Sequence, residues 1–375
     1  MARLTKLHYF IVLQALVTVA IIILMHNKNP SYYQKSRSLN KQTQILIISS
    51  WRSGSSLLGQ LFNVNPNVFY LMEPGWHIWR HFQYSSANSL QMAVRDLLRS
   101  LFLCDITAFN SYIPSEDRNN LHLFGWGLSR ALCSRPACNA FSRTYITSED
   151  ICTKACGTYP LNKIEEVCQT YSHIVLKEVR LCSLEPLYSL LNDPSLNLKI
   201  IHLVRDPRAV LNSRNKQTNA LKVDSNILYR NILKKEYFKF FHSGDREYKL
   251  MEEICKYQVS MYKTATQEAN SFIKDRYKMV RFEDLTKNPL EVLKDLYKFS
   301  NLTLSSELQT WVYSITHGNG DGGKNGSFQV SSRDAAYVSE AWKTSLSTVS
   351  IRTIERVCAE ALRIFGYDHF TSDNN

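Results

Sequence analysis

A short loop holds the residues of this chain that are best suited to binding an anion. It consists of Trp51, Arg52, Ser53, Gly54, Ser55, Ser56 and Leu57. Its serines supply hydroxyl donors, and Gly54 can adopt a positive φ that lets the backbone close around a ligand. Arg52 adds a cation whose planar fork matches two oxygens of a phosphate or sulfate group. The loop therefore predicts an anion site, against the alternative of a strand–turn–helix corner with solvated serines.

A second basic segment has a similar character. It consists of Arg205, Asp206, Pro207, Arg208, Ala209, Val210, Leu211, Asn212 and Ser213. Asp206 is a favourable N-cap and Pro207 a favourable first helical residue, so a helix is predicted to begin here. Ser213 follows Asp206 at a spacing that returns it to the same helix face. The alternative interpretation is an Arg–Asp pair that only caps the helix.

Both segments follow an apolar run that is typical of a buried strand, Ile45–Ile48 before the first and Leu198–Val204 before the second. Ligands of open α/β sheets bind at the carboxyl ends of strands, and helix N-termini attract anions. Two such corners predict one ligand with two anionic groups. The first loop is not a Walker A motif, because the first glycine and the lysine of that motif are missing.

The rest of the pattern predicts an α/β fold. Further strand-like runs lie at 68–71, 173–176 and 277–282, and helical segments are predicted at 88–103, 246–270 and 290–300. Because strands alternate with helices, we expect a three-layer αβα domain with a central parallel sheet and a P-loop-like binding loop. Residues 105–170, which are irregular and carry cysteines, are interpreted as an insertion that shapes a binding cleft.

A set of motifs, in this order along the chain, resembles a known family: SSWRSGSS, FYLMEP, LKEVR, HLVRDPRAVLNSR and VRFEDL. Over residues 44–367 the sequence resembles the Golgi carbohydrate 6-O-sulfotransferases, which use 3′-phosphoadenosine 5′-phosphosulfate (PAPS), and most of all the N-acetylglucosamine 6-O-sulfotransferases. The resemblance implies that residues 51–57 hold the 5′-phosphosulfate. It also implies that residues 205–213 hold the 3′-phosphate, with Arg205 and Ser213 as the main contacts.

The reaction implied by this resemblance is transfer of a sulfuryl group from PAPS to the 6-hydroxyl of N-acetylglucosamine in glycoprotein glycans or keratan-type chains. Galactose or N-acetylgalactosamine is the alternative acceptor sugar. An alcohol is a poor nucleophile at neutral pH, so a positioned base should take its proton. Glu73, in the Met-Glu-Pro element that family members share, is the predicted base, with Glu178 and His202 as alternatives. Arg52 is predicted to stabilise the charge on the leaving oxygen, and no metal is expected.

The chain is predicted to divide into four parts. These are a cytoplasmic tail at residues 1–8, a transmembrane signal anchor at 9–25, a stem at 26–43 and a lumenal sulfotransferase domain at 44–375. The anchor has 17 residues and no charge, which is the short end of what spans a bilayer. A cleaved signal peptide is the alternative, but no A-x-A-like site follows the apolar run. We therefore expect a single-pass type II protein of the Golgi membrane.

The chain has 9 cysteines, most of them between residues 104 and 182. Behind a secretory anchor we expect disulfides, although their pairing cannot be deduced from the sequence, and an odd number leaves at least one thiol outside the intramolecular pairs. A zinc site is the alternative, but the C-x2-C spacing common to structural zinc is missing. Asn301 and Asn325 begin N-x-[ST] sequons, which fit glycosylation in the lumen.

The formal net charge of +12 implies acidic partners. A polyanionic donor and an anionic glycan account for this charge, and nucleic acid is not expected because its recognition motifs are missing. The expected partners are a glycan acceptor that carries N-acetylglucosamine and the Golgi membrane, with a homodimer left open. A P-loop nucleotide kinase is disfavoured by the missing Walker lysine and Mg²⁺ ligands. A non-catalytic membrane lectin is disfavoured because the candidate site residues are intact.

Overall fold

The computed structural model describes residues 42–235, 246–267, 271–318 and 334–371, together with Gln14 and Thr18. From residue 42 onward the described residues belong to one compact unit, residues 41–375. The predicted tail and almost all of the predicted anchor and stem lie outside the described residues. Within the part of the chain that is described, no helix is both long and apolar enough to cross a membrane.

Parallel strands form a single sheet at the centre of this unit. They are β1 (Thr43–Ser49), β2 (Val68–Met72), β3 (His173–Glu178), β4 (Leu198–Val204) and β5 (Tyr277–Arg281). Their order across the sheet is β2-β3-β1-β4-β5, and all neighbouring pairs are parallel. The predicted central parallel sheet is therefore confirmed, and each predicted strand matches an observed one.

The sheet register brings the predicted motifs to one edge. Ser49 at the end of β1 lies opposite Leu203 of β4, and Ile48 lies opposite Glu178 at the end of β3. The end of β2 in turn lies beside the end of β3. Because parallel strands share the direction of their carboxyl ends, the loops that follow these strands begin side by side.

Both faces of the sheet are covered by helices. Leu46 and Ile48 pack into one core and Ile45 and Ile47 into the other, since successive side chains of a strand point to opposite faces. Because β1 is buried on both faces, the side chains on each face are apolar, which explains the continuous apolar run of its sequence. The two cores give the three layers that the sequence predicted.

The α-helices are α1 (Ser55–Asn63), α2 (Gly75–His81), α3 (Ala87–Phe102), α4 (Arg130–Cys133), α5 (Glu149–Ala155), α6 (Leu161–Cys168), α7 (Tyr188–Leu191), α8 (Pro207–Asn215), α9 (Lys222–Lys235), α10 (Arg246–Thr266), α11 (Ser271–Lys274), α12 (Phe282–Lys287), α13 (Pro289–Phe299), α14 (Ser306–Thr316), α15 (Ala335–Glu340), α16 (Trp342–Ser345), α17 (Thr348–Val357) and α18 (Ala359–Phe365). Short 3₁₀ helices are Ile106–Ser111, Ser115–Asp117, Asn120–His122, Trp126–Leu128 and Glu185–Leu187. The predicted helices correspond to α3, α10 and α13, and the last residues of the second prediction, 268–270, lie outside the described residues.

Disulfides hold the insertion and the last helices. The pairs are Cys104–Cys168, Cys133–Cys152, Cys138–Cys156 and Cys255–Cys358. The first pair joins the residue before the insertion to its last helix, the next two lie within the insertion, and the last joins α10 to the residue after α17. Disulfide sulfurs cannot bind zinc as thiolates, so the zinc alternative is wrong for these cysteines. Each cross-link limits the freedom of the unfolded chain, which suits a segment with little regular structure.

Candidate active site

The loop between β1 and α1 has a backbone conformation that few residues adopt. Arg52 and Gly54 both have a positive φ, 70° and 85° respectively. A Cβ atom at Gly54 would lie 2.1 Å from the ring of Phe282, so a larger residue would displace the loop. Helix α1 begins directly afterwards, at Ser55. The amide of Leu57 donates to the carbonyl oxygen of Gly54 at 3.0 Å, and the amides before it, at the start of the helix, have no i→i−4 partner. The loop thus has the geometry of an anion site.

Strand β4 leads into α8 as the sequence predicted. Asp206 caps the helix by accepting a hydrogen bond from the amide of Arg208 at 2.8 Å, and Pro207 is the first helical residue. The guanidinium of Arg208 forms ion pairs with Asp206 and Glu355, each at 2.8 Å. It also lies 4.2 Å from the ring centre of Trp342. Asp206 and Arg208 therefore form the capping pair that was the alternative interpretation of this segment.

The remaining side chains of the segment are largely buried. Those of Pro207, Ala209, Val210, Leu211 and Asn212 belong to the interior. Arg205 and Ser213, at the two ends of the segment, are only partly buried. These two side chains are the ones that can reach a ligand, whereas the residues between them would do so through their backbone. The roles of all nine residues in cofactor binding stay predictions.

The two predicted anion-binding corners touch each other. The Nε of Arg52 donates to the Oγ of Ser213 at 3.0 Å, and Nη1 of Arg205 donates to the carbonyl oxygen of Arg52 at 3.0 Å. The guanidinium of Arg205 lies 4.5 Å from the ring centre of Phe282, the same ring that packs against Gly54. Among the described residues the Nε of Arg205 has no hydrogen-bond partner. A ligand with two anionic groups can therefore bridge the corners.

Burial lowers the pKa of the Arg205 guanidinium to about 10, although the nearby Glu283 and Asp206 oppose this change. The side chain is still a cation at neutral pH. A partly desolvated cation gains more from an incoming anion than a fully hydrated one, because the local dielectric is lower. Arg205 is therefore well suited to bind a phosphate.

Glu73 lies at the end of β2 in a network of buried charges. It is 3 % exposed and has a positive φ of 48°. Its Oε1 accepts from Nζ of Lys177, and its Oε2 accepts from Nη1 of Arg180 at 2.7 Å. Burial alone would raise the pKa of Glu73, but the charges and hydrogen bonds of Lys177 and Arg180 outweigh it and lower the pKa to about 2. Glu73 is therefore a carboxylate at every physiological pH.

A cavity of about 120 Å³ opens beside this network. The side chains that line it include Trp51, Glu73, Trp76, Phe124, Arg180 and Asp224. Trp76 stacks on Phe124 with ring centres 4.9 Å apart. Because Phe124 comes from the insertion and Trp51 from the anion loop, the cavity joins that loop to the insertion. A small polar molecule in this cavity would face a carboxylate and a cation at once.

Comparison with known proteins decides the family. The model of the family described as "Sulfotransferase domain" matches residues 42–366. The chain belongs to the sulfotransferase domain family. It is 45% identical to carbohydrate sulfotransferase 5 of Mus musculus over 350 residues, 93% of this chain and 86% of that protein. It is 46% identical to carbohydrate sulfotransferase 6 of Homo sapiens over 326 residues, 87% of this chain and 81% of that protein. The resemblance seen in the motifs is thereby confirmed.

Among solved structures, the sulfotransferase domain of the Synechococcus PCC 7002 olefin synthase is similar, with a TM-score of 0.45 and 19% identity. The match covers 88% of this chain and 98% of that domain.

The two alternative bases of this sulfotransferase lie elsewhere. Glu178 accepts hydrogen bonds from the backbone amides of Gly75, Val179 and Arg180 at 2.7, 2.8 and 3.0 Å, so it orders the turns around it. His202 is fully buried and bonds to Tyr277 and Gln258 at 2.6 and 2.8 Å. Burial lowers the pKa of His202 to about 4. Both side chains are satisfied by the protein, and neither lines the cavity beside Glu73.

Asp224 lines the same cavity as Glu73, and sequence reasoning missed it. Its Oδ2 accepts from Nε1 of Trp51 and from Nη2 of Arg180, both at 2.7 Å. In the sequence it is an acidic residue near the start of a helix, where such residues commonly stabilise the helix dipole. No local pattern distinguishes it from a surface residue of that kind, because its partners lie far away along the chain.

Proposed function

We propose that this sulfotransferase transfers a sulfuryl group from PAPS to the 6-hydroxyl of N-acetylglucosamine in glycoprotein glycans or keratan-type chains. The observation that carries the proposal is the contact between two anion-binding corners beside a cavity lined by carboxylates. The names of the similar proteins, which are carbohydrate sulfotransferases, support a sugar acceptor. The test is transfer of radiolabelled sulfate from PAPS to defined oligosaccharides by the purified protein.

The two corners match the two anionic ends of PAPS. Residues 51–57 would hold the 5′-phosphosulfate through the amides at the start of α1, the serine hydroxyls and Arg52. Arg205 and Ser213 would hold the 3′-phosphate. The unpartnered Nε of Arg205 supports this assignment, because a buried donor without an acceptor is costly unless a ligand supplies one. When bound, PAPS supplies the sulfuryl group and the leaving phosphate.

The residues of the cavity fit the acceptor half of the reaction. The 6-hydroxyl oxygen forms a bond to sulfur, the bond from sulfur to the 5′-phosphate oxygen breaks, and the hydroxyl proton moves to Glu73. Arg52 and the loop amides stabilise the charge on the leaving oxygen. The hydroxyl becomes far more acidic as the new bond forms, so a carboxylate of low pKa can accept the proton late in the reaction.

The choice of sugar is the finer part of the proposal. The names of the similar proteins specify carbohydrate and no particular sugar, so galactose and N-acetylgalactosamine are the alternatives. The motif resemblance favours N-acetylglucosamine. Acceptor panels that differ only in the terminal sugar distinguish the three.

We expect Arg205→Ala and Ser213→Ala to weaken PAPS binding while the fold persists. Loss of a charge-assisted hydrogen bond should lower the affinity by about tenfold to a hundredfold. Calorimetric titration with the product nucleotide or PAPS measures this directly. Arg99→Ala is the matched control, because Arg99 pairs with Asp193 at the surface and should leave the affinity unchanged. Wild-type affinity in both folded variants would remove the 3′-phosphate assignment.

For its location, we propose a type II protein of the Golgi membrane whose catalytic domain is lumenal. The disulfides fit an oxidising compartment. Asn301 is exposed two residues after the end of α13, and Asn325 lies outside the described residues. The apolar run at residues 9–25 supports the anchor.

Glycosidase treatment of the protein from secretory cells should increase its gel mobility, because glycans at Asn301 or Asn325 are removed. The double variant Asn301→Gln, Asn325→Gln is the control and should show no shift. In sealed microsomes the large domain should resist added protease until detergent is present. Protease digestion without detergent would place the domain in the cytosol and contradict the proposed location.

A further inference from the structure

The cavity beside Glu73 holds a second carboxylate whose hydrogen bonds are unevenly distributed. Asp224 is 8 % exposed and lines the cavity. Both of its bonds to the protein, from Trp51 and from Arg180, end on Oδ2. Among the described residues, none donates a hydrogen bond to its Oδ1. That oxygen can accept a hydrogen bond from a molecule in the cavity.

Glu73 differs from Asp224 in this respect. Each oxygen of Glu73 already accepts from a cation, Oε1 from Lys177 and Oε2 from Arg180. Arg180 bridges the two carboxylates, with Nη1 on Glu73 and Nη2 on Asp224, each at 2.7 Å. This bridge holds both carboxylates at fixed positions on the cavity wall. Asp224 therefore has one oxygen, Oδ1, that accepts no hydrogen bond from the described residues and can accept one from a neutral hydroxyl group.

Asp224 is also fixed by the two segments that are proposed to bind PAPS. Its partner Trp51 belongs to the anion-binding loop. Its neighbour Ser225 accepts a hydrogen bond from Nη2 of Arg214, in the last turn of α8, at 3.0 Å. Asp224 is thus held by the anion-binding loop and by Arg180, which also binds Glu73. Through its neighbour Ser225 it is held by α8, the helix of the second corner. A group held this firmly loses little freedom when a ligand binds.

We propose that Asp224 binds the acceptor: its Oδ1 accepts a hydrogen bond from a sugar hydroxyl other than the one that reacts. This inference rests on the proposed function. A hydroxyl that donates to a buried carboxylate makes a short, charge-assisted bond, which orients the sugar as well as holding it. The same carboxylate repels an anionic substituent at that position. Asp224 therefore favours a neutral, hydroxyl-bearing sugar ring in the cavity over one that is sulfated or carboxylated there.

Asp224→Asn keeps the size of the side chain and removes the charge. Its amide oxygen should turn to the donors Trp51 and Arg180, which leaves an NH₂ group where Oδ1 was. We expect kcat/KM for the acceptor to fall by about tenfold to a hundredfold, with PAPS affinity near that of the wild type. Asp295→Asn is the matched control, since Asp295 is exposed and pairs with Lys278 at the surface, and it should leave kcat/KM unchanged.

Monodeoxy acceptors separate binding from positioning. The parents are the methyl β-glycosides of N-acetylglucosamine and galactose, each with its 3-deoxy and 4-deoxy analogues. For one analogue, wild type and Asp224→Asn should have equal kcat/KM, because the hydroxyl that Asp224 binds is gone. A wild-type to mutant ratio that is the same for the parent and for every analogue would overturn the inference, since Asp224 would then act only through Trp51 and Arg180.

The wild-type enzyme supplies a second measurement if the variant does not fold. One monodeoxy analogue should lose about tenfold to a hundredfold in kcat/KM relative to its parent. If every analogue stays within about twofold of its parent, the inference is overturned. No transfer by the wild type to either parent would overturn the proposed function and this inference with it. Transfer to a parent, with the same wild-type to Asp224→Asn ratio of kcat/KM for that parent and every analogue, would overturn the inference alone.

Discussion

Glu73→Gln should lower turnover by about 10²–10⁴-fold while PAPS affinity stays near that of the wild type. Glutamine keeps the size and one acceptor oxygen of the side chain but cannot take the proton of the sugar hydroxyl. The measurement is sulfate transfer at saturating PAPS and acceptor, together with calorimetric titration of PAPS. Near-normal turnover in the folded variant would make Glu73 a structural counter-ion of Lys177 and Arg180 and nothing more.

The pH dependence of this effect follows from the charges around Glu73. Because Lys177 and Arg180 lower its pKa to about 2, the carboxylate is ionised throughout the range from about pH 5 to 8. The ratio of wild-type to mutant rates should therefore be constant between about pH 5 and 8. Protonation of Glu73 would lower the rate only in strong acid. An acidic limb near neutral pH that vanishes in Glu73→Gln would contradict the low pKa.

The structural cost of the change must be measured alongside its kinetic effect. Removing the charge of Glu73 leaves two buried cations with less compensation, and breaking a buried pair costs about 3–5 kcal/mol of stability. Thermal unfolding shows whether the variant is folded at the assay temperature. Glu166→Gln is the matched control, since Glu166 is exposed and pairs with Lys163 at the surface. Its turnover should stay within about tenfold of the wild type.

Arg52→Ala should lower kcat by about 10²–10³-fold, which is more than it lowers PAPS affinity. The charge on the leaving oxygen is largest in the transition state, so a cation in the loop contributes most there. Arg52 also donates to Ser213, so a smaller loss of affinity is expected from the disturbed second corner. Single-turnover rates at saturating PAPS separate the two effects.

Arg52→Lys is the informative control for this role. Lysine keeps the charge but loses the planar fork, so its kcat should lie between those of wild type and Arg52→Ala. If Arg52→Ala loses affinity alone, with kcat unchanged at saturation, Arg52 binds the ground state and the transition state equally. That result would contradict its role at the leaving oxygen.

Local patterns were sufficient to predict the fold and the two corners. β1 is buried on both faces, so its sequence is an unbroken apolar run, and Gly54 marks the one loop position where the Phe282 ring excludes a side chain. The adjacent residues Asp206 and Pro207 are the N-cap and the first residue of α8, and both types favour a helix start. Patterns of this kind span only a few residues, so they can be recognised in a single sequence.

The electrostatics of the site could not be read in the same way. The ion pair between Glu73 and Lys177 joins residues 104 positions apart, and the bond between Trp51 and Asp224 joins residues 173 positions apart. Both depend on the order of the strands, which brings β2 and β3 together and places α9 over the cavity. The low pKa of Glu73 and the part played by Asp224 are consequences of that order. The disulfide pairing within the insertion is fixed by tertiary structure in the same manner.

The most direct test of the account is product analysis after incubation of the purified protein with sulfate-labelled PAPS and matched oligosaccharides. The panel ends in N-acetylglucosamine, galactose or N-acetylgalactosamine, and NMR spectroscopy locates the sulfate on the product. The account predicts labelled product with sulfate on the 6-oxygen of N-acetylglucosamine. Product on the 6-oxygen of another sugar would correct the acceptor. Absence of label from every glycan, or sulfate on a ring hydroxyl, would contradict the central claim.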